Sequence, residues 1–566
     1  MEEISAIIKV LCKKLFDIDI EPDLTRPDEQ FGDYATNVAL RLSKQLGKSP
    51  REVAETIKAE FQHDDIADVD IAGPGFINIR LSDMAILKLA DTKSRKSLAG
   101  QTVVAEYSDP NPFKPLHAGH LYTTLVGDTI ANLLEQAGAK VIRLNYGGDV
   151  GRHVAISMWA ILNNESHATS IDEMAADALR GIEARTKEDL HTRAKYLGQA
   201  YSQGTEKFET DEEVKKQVLE INKRVYEFHT TNDHESALAQ IYWTCRQWSY
   251  DYFTILYEEL KVHPFDRFIP ESEVTPLGVS TINEQLTKGV YERSDGAVVF
   301  KGEPYGLHTR VFINSEGIPT YEAKDVGLIQ LKWKEYHFDK SIVITANEQA
   351  EYYKVMLKSV EQFAPEIVEH SIHLTHGVVK LQGGVKMSSR RGNVVTALKI
   401  LEAAREAGQK SETAHGEDSI LAAVKYSFAK SRIGGDIIYD PEESVALDGN
   451  SGPYLQYAHA RARSILAKSK TQNPKFKIEA LEAEERSLAR KVGEYHEVIG
   501  KSVNELMPHH ICTYLYELAQ IFNRFYEHNR VIDDPREELR LQLVQKYADT
   551  LKAGLELLNI PAPDSM

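Results

Sequence analysis

The sequence predicts a multidomain α/β protein. A doubly wound parallel sheet with a helical insertion stands between a small α+β unit and an all-helical C-terminal bundle. Three observations carry this. The chain has 566 residues, and at roughly 100–200 residues per domain that makes about three or four domains. A strand, a loop, a helix and a second strand follow one another from Thr102, which is a βαβ unit and so requires parallel strands. Beyond about residue 440 every segment has helical periodicity.

Taken in order, the first stretch, MEEISAIIKVLCKKLFDIDI, reads as a folded helix. It lacks an Arg/Ser-rich transit pattern and a signal-peptide cleavage site, which points to a cytoplasmic protein. Helical runs follow around 33–47 and 50–60, then a strand pair ending in VDIAGPGFINIRL, turned by Ala72-Gly73-Pro74-Gly75. From Thr102, TVVAEYS is a strand, DPNPFKPL a loop, HAGHLYTTLVGDTIANLLEQAG a helix stopped by Gly138, and AKVIRLNYGG the next strand. Residues from about 155 to 290 are charged and helical, an insertion between the halves of the sheet. Signals of βαβ return in GAVVF, RVFIN, YHFDKSIVITAN and HLTHGVVKL. The bundle begins with GPYLQYAHARARSILAK. The expected domains are 1–98, 99–440 and 441–566.

Composition excludes several classes. Hydrophobic residues make up 42% and charged residues 27%, ordinary for a globular protein. The mean hydropathy is -0.38, and no apolar run is long enough to span a bilayer. Cys12, Cys245 and Cys512 lie too far apart for a disulfide framework or a Cys-rich zinc site. The net charge of -18 argues against a basic nucleic-acid-binding domain. Phosphate responds to local patches, however, so nucleic acid stays open as a partner.

Two motifs carry chemistry. His117-Ala118-Gly119-His120 stands where the Pro-rich loop becomes a helix. His117 and His120 are one turn apart, Gly119 leaves backbone open, and a helix N-terminus offers N–H groups and a positive dipole to phosphate. The alternatives are a zinc pair, which needs further ligands not evident nearby, or surface histidines. The second motif, Val385-Lys386-Met387-Ser388-Ser389-Arg390-Arg391-Gly392, follows HGVVKL and Gly383-Gly384. A cationic loop with flanking glycines suits closure over polyphosphate. Alone, it reads more readily as an ordinary solvated basic turn.

HAGH after the first strand and KMSSR after the last is the layout of class I aminoacyl-tRNA synthetases. Over nearly its whole length the chain resembles the arginyl-tRNA synthetases. The stretches GPGFINIRL, DPNPFKPLHAGHL, NYGGDVG, GIPTYEAKDVG, NEQAEYY, KMSSRRGNVV and SGPYLQYAHARARSIL carry the likeness. The resemblance implies a class I Rossmann-like catalytic domain, an N-terminal domain that meets the tRNA elbow, and a C-terminal anticodon-binding domain. It implies L-arginine, ATP with Mg²⁺ but no dedicated metal site, and tRNA-Arg. It also implies arginine activation that needs tRNA bound. A monomer is expected because no heptad seam is evident.

For the site, the resemblance assigns ATP to His117, Gly119, His120, Val378, Val379, Lys386, Met387 and Ser388. Glu106 ends the first strand, Asn111 lies five residues on, Tyr321 and Asp325 share a helix face at i and i+4, and Gln349 follows the strand SIVITAN. Two carboxylates, a phenol and two amides suit a planar cation with an α-amino group. By resemblance Glu106, Tyr321 and Asp325 take the side chain, and Asn111 and Gln349 the amino and carboxylate end. For tRNA, Phe76 and Asn78 are expected at the elbow. Arg461 and Arg463, with Lys468, Lys470, Lys475 and Lys477 beyond them, are expected at the anticodon, as are Arg524, Asn529 and Arg530 beside Phe522 and Tyr526. Ser389 stands where the family signature places a second lysine. Lys114 is expected to supply that charge, with Arg390 and Arg391 as the other choices. Arg152 and His153 after the GDVG loop have no role legible in the sequence. Two other functions were weighed. A silent tRNA-binding paralogue fits poorly with an intact HAGH, Lys386 and both pocket acids. A dinucleotide oxidoreductase would need G-x-G-x-x-G after the first strand, where DPNPFKPLHAGH stands.

Overall fold

The computed structural model describes residues 2–92, 95–382, 395–410, 416–469 and 480–566. Its centre is a five-stranded parallel sheet. The strands run in the spatial order Ser371–His376, Lys340–Ala346, Thr102–Glu106, Lys140–Gly147, Arg267–Pro270. The first strand in sequence is thus the middle strand. The chain winds outward from it on one side and returns later to its other side, beside Lys340–Ala346. That reversal of strand order opens a crevice at the strands' carboxyl ends, where ligands bind in such sheets.

The helix Ala118–Gln136 crosses this sheet. Every residue from Leu121 to Leu134 is buried, so it is covered all round, Asp128 and Asn132 included, and shows no solvent stripe. Five helices between Arg152 and Glu259 form the insertion, with a core of their own that includes Trp159, Met174, Ile221 and Trp248.

Three elements differ from the sequence reading. The expected helix over 33–47 begins only at Val38, because Tyr34–Thr36 is a strand paired antiparallel with Ile77–Ile79. The expected helical stretch to 290 contains the strand Arg267–Pro270, which closes the edge of the parallel sheet. GAVVF and RVFIN are not βαβ strands. With Glu292–Ser294 they make an antiparallel meander. The reason is local: Asp295 and Gly296 both have positive φ, 47° and 80°, in a two-residue Asp-Gly hairpin between Ser294 and Ala297.

The C-terminal helices pack around Leu515, Leu518, Phe522 and Tyr547. The N-terminal unit docks onto them through ion pairs. Asp33, fully buried, meets Arg486 at 2.7 Å and Arg490 at 3.2 Å, and Arg26 meets Glu497 at 2.9 Å. Among the described residues no helix is long and apolar enough to cross a membrane.

Candidate active site

The loop from strand Thr102–Glu106 to helix Ala118–Gln136 is strained. Ser108, Asp109 and Phe113 have φ of 77°, 50° and 67°, a left-handed conformation that non-glycine residues rarely adopt outside over-determined sites. Hydrogen bonds hold it. Asp109 Oδ1 accepts from the Tyr146 amide at 2.7 Å, Asn111 Oδ1 from the Gly148 amide at 2.9 Å, and the Phe113 amide donates to Ser249 Oγ at 3.1 Å.

His117 is the N-cap of the helix. Its Nδ1 accepts from the His120 amide, and His120 Nδ1 accepts from the His117 amide, both at 3.3 Å. The rings stack with centroids 3.6 Å apart. Both Nδ1 atoms being acceptors, the proton of each neutral ring lies on Nε2, which becomes the donor edge. Desolvation holds both rings neutral: with the nearby cation of Lys114 it lowers His117 to about 4, and with the neighbouring His117 and then Lys114 it lowers His120 well below its usual value. The zinc-pair alternative finds no third ligand: among the described residues His117 and His120 belong to no trio spaced for a metal ion. Gly119 is also explained differently. A Cβ there would lie 3.0 Å from the His117 ring, so the glycine makes room for the cap. Lys114 lies over the Tyr201 ring at 4.9 Å, between the insertion and the phosphate helix.

The second half of the site is a buried set of carboxylates at the carboxyl ends of the central strands. Glu106 is 4% exposed and Asp325 6%. Glu106 Oε2 meets Lys332 Nζ at 2.6 Å, and Asp325 Oδ2 accepts from the Tyr352 hydroxyl at 3.0 Å. Burial, then the charge of Glu106, push Asp325 up to about 8. Asp109 is raised well above its usual value for the same two reasons. Tyr321 begins the helix Tyr321–Tyr336 and is 55% exposed, at the mouth of the pocket. Gln349 closes the turn after strand Lys340–Ala346 and is half-buried. A Cβ on Gly148 would come within 2.5 Å of Asn111 Oδ1 and 3.0 Å of Glu271 Oε1, so this glycine lets an amide and an acid approach each other. The buried Tyr146 hydroxyl has no partner among the described residues, and its neighbours include Asp325 and Glu271.

Sequence reasoning missed Asp109, Tyr146, Glu271, Lys332 and Tyr352. Glu271 follows a sheet strand directly, as Glu106 ends one, but that strand itself went unread. Buried lysines are invisible to pattern, since a lysine on a helix reads as solvated: Lys324 pairs with Glu271 at 2.6 Å. His153 now has a role. Its Nε2 donates to the Gly148 carbonyl at 2.7 Å and so braces the GDVG loop, and Arg152 lies over Phe208.

Comparison with known proteins decides the family. The profile described as tRNA synthetases class I (R), catalytic domain, matches residues 84–440. The chain belongs to the class I arginyl-tRNA synthetases. The arginyl tRNA synthetase N terminal domain matches 2–81, and the DALR anticodon binding domain 455–566. An arginine–tRNA ligase of Lactobacillus delbrueckii is 30% identical over 97% of this chain and 96% of its own length. One of Thermobifida fusca is 31% identical over the same shares. The structure of a Thermus thermophilus arginyl-tRNA synthetase superposes with a TM-score of 0.79 at 24% identity over 100% of both chains, which is a likeness of fold. The matched family is catalytic, not a silent tRNA-binding paralogue.

Measured against this arginyl-tRNA synthetase frame, several expected contacts fall elsewhere. Lys386, Met387, Ser388, Ser389, Arg390 and Arg391 lie outside the described residues, as do Lys470, Lys475 and Lys477. Val378 is 48% exposed, whereas Val379 is 2% exposed and points into the core from a strand paired with Ile437–Tyr439. At the elbow face Phe76 is 43% exposed, but Asn78 is only 8% exposed. It lies on a central strand, opposite Ala35 on one side and Asp70 on the other. In the bundle Arg461 lies 5.6 Å from the ring of Tyr457 and 5.3 Å from that of Tyr526, both rings being exposed. Phe522 is a core ring stacked on Tyr547 at 3.8 Å, and Asn529 is buried against the Phe525 carbonyl, so neither meets RNA bases. Arg463 is paired with Asp564 at 2.8 Å. Arg530 is paired with Asp533 at 3.1 Å. Arg524 is exposed.

Proposed function

We propose that the chain activates L-arginine with ATP and transfers it to the 3′ end of tRNA-Arg, with a specific division of labour. An oxygen of arginine's carboxylate attacks the α-phosphorus, the bond to pyrophosphate breaks, and arginyl-adenylate forms. A hydroxyl of the terminal adenosine then attacks the acyl carbon, and AMP leaves. Asp325 and Glu106 hold the guanidinium, and Tyr321 covers it. Asn111, Gln349 and Glu271 orient the α-amino and carboxylate end. The Nε2–H edges of His117 and His120, together with the helix N-terminus, donate to the phosphates. Lys114 adds positive charge from the insertion side, and Lys386 does so from the other loop.

Mg²⁺ arrives on the triphosphate and neutralises charge there. The protein offers it no site at the phosphate helix, since both histidines present N–H donors rather than lone pairs. Among the described residues, the one trio spaced for an ion is Glu3, His63 and Asp65 in the N-terminal unit. The enzyme works as a cytoplasmic monomer, and arginine activation waits for tRNA.

The observation that carries this reading is a pair of buried carboxylates at a sheet switch point, beside a helix capped by neutral histidines. The test is ATP–pyrophosphate exchange with each of the twenty amino acids, with and without tRNA. Exchange is expected with arginine alone and only when tRNA is present. Exchange with another amino acid overturns the assignment of the pocket. Equal arginine exchange without tRNA overturns the dependence on tRNA.

A further inference from the structure

Lys332 lies seven residues after Asp325 on the helix Tyr321–Tyr336. That is two turns, so both face the sheet. Its ammonium meets Glu106 Oε2 at 2.6 Å, with the side chains 1% and 5% exposed. A buried ion pair is a poor stabiliser, and an apolar pair of similar volume is often as stable or more so. We propose that Lys332 is a positioning residue that fixes the Glu106 carboxyl group through Oε2, so that arginine's guanidinium is gripped by two carboxyl groups instead of one. This rests on the arginine reading of the pocket.

The surroundings make the lysine necessary. Around Glu106 the neighbouring elements contribute further acids: Asp109 from the strained loop, and Asp325 from Lys332's own helix. Glu322 and Glu271 stand close to Asp325. The phenols of Tyr146, Tyr352 and Tyr353 complete the wall and bring no positive charge. The other buried lysine of this region, Lys324, is held by Glu271. Carboxylates crowded in one buried site cannot all ionise unless a cation is fixed among them. With Lys332 holding Oε2, Glu106 Oε1 accepts no bond among the described residues, and neither does Asp325 Oδ1. Two carboxyl oxygens are therefore free to meet the planar fork of a guanidinium. Removing the ammonium leaves the Glu106 carboxyl group with no bond to fix it, and the pocket would then offer one placed carboxyl group instead of two.

The test is the dissociation constant for arginine, by equilibrium dialysis on the full-length enzyme with tRNA and without ATP, from pH 6 to 9. Lys332→Met is expected to weaken arginine binding on the order of 10–100-fold at pH 7, the cost of one lost charge-assisted interaction. Lys332→Arg should bind nearly as wild type does. The deciding comparison is a cycle with Glu106→Gln. If Lys332 acts through Glu106, the double variant Glu106→Gln/Lys332→Met binds arginine no more weakly than Glu106→Gln alone. The double variant buries no unpaired charge, and Glu106→Gln keeps an amide oxygen for the Lys332 ammonium, so the comparison stands even where Lys332→Met alone fails to fold. Wild-type affinity in Lys332→Met, or losses that simply add in the double variant, would overturn the proposal. Wild-type enzyme that binds no arginine at any pH would instead overturn the reading of the pocket itself.

Discussion

Asp325 and Arg461 are both charged side chains proposed to meet substrate, and their settings differ. Asp325 is 6% exposed, shares its pocket with Glu106 and is held by one hydrogen bond from Tyr352. Arg461 lies on an open face between rings that are 41% and 40% exposed, and it also donates to Asn523 at 3.2 Å. In the pocket water is excluded, so a wrong ligand leaves buried groups unpaired at full desolvation cost. On the open face water replaces whatever is lost, and each contact counts for little. The difference says where single substitutions should be severe: at the arginine pocket, less at the phosphates, and least on the RNA faces.

The largest effect is expected at Asp325. Citrulline places a neutral carbonyl where the cation belongs, and a pocket built for polar pairing rejects such an analogue by roughly 10⁴-fold or more. Asp325→Asn should collapse most of that ratio in kcat/KM. An unchanged ratio would move selectivity to Glu106 or Asp109. Next comes Lys114. Lys114→Ala should lower kcat for adenylation by about 10²–10³-fold, the usual cost of a transition-state donor, with little change in KM for arginine. Retention of rate by that variant, with loss in Arg390→Ala or Arg391→Ala, would put the compensating charge in the other loop. On the RNA faces, Phe76→Ala should raise KM for tRNA by about 1–3 kcal/mol of lost stacking. Arg461→Ala should cost less, and its effect should shrink as salt rises. A Phe76→Ala enzyme with normal KM for tRNA and normal melting temperature removes the elbow contact.

The histidine pair adds a pH prediction. His117 is depressed to about 4 in the folded chain, against about 6.5 when unfolded. Between these values the unfolded chain binds more protons, so stability rises with pH through that window. It is complete above pH 6.5 and falls away as pH drops toward 4. Replacing His117 by Asn, another N-cap residue, should flatten the fall in melting temperature between pH 6.5 and 4.5. An unchanged slope would place the acid sensitivity elsewhere.

Much of this was legible in the chain. The βαβ unit around HAGH and the helical bundle follow from periodicity and stop signals, because each is a local pattern. That Tyr321 and Asp325 lie on one helix followed from the i, i+4 spacing, whereas their part in an arginine pocket rested on the family likeness. What failed was non-local. Lys332 meets Glu106 across 226 residues of sequence, and no spacing rule announces that. Asn78 and Val379 were expected at tRNA and ATP from the family likeness, and Phe522 and Asn529 from aromatics and basic residues interleaved along one stretch. Burial is decided by which neighbouring strand or helix covers them. The Asp295-Gly296 hairpin is a different case. The signal was present and βαβ alternation was read over it.

Proton counting tests the central claim most directly. Asp325 is held up to about 8 by burial and by Glu106, so at pH 7 it carries a proton until a guanidinium arrives and requires the anion. Arginine binding should be measured by titration calorimetry with tRNA present, in two buffers of different ionisation enthalpy. About one proton should be released per arginine at pH 7, falling toward zero by pH 9 and absent in Asp325→Asn. Arginine binding at pH 7 with no proton released would mean that Asp325 is already ionised in the unliganded pocket, contradicting the account of how this pocket selects a guanidinium.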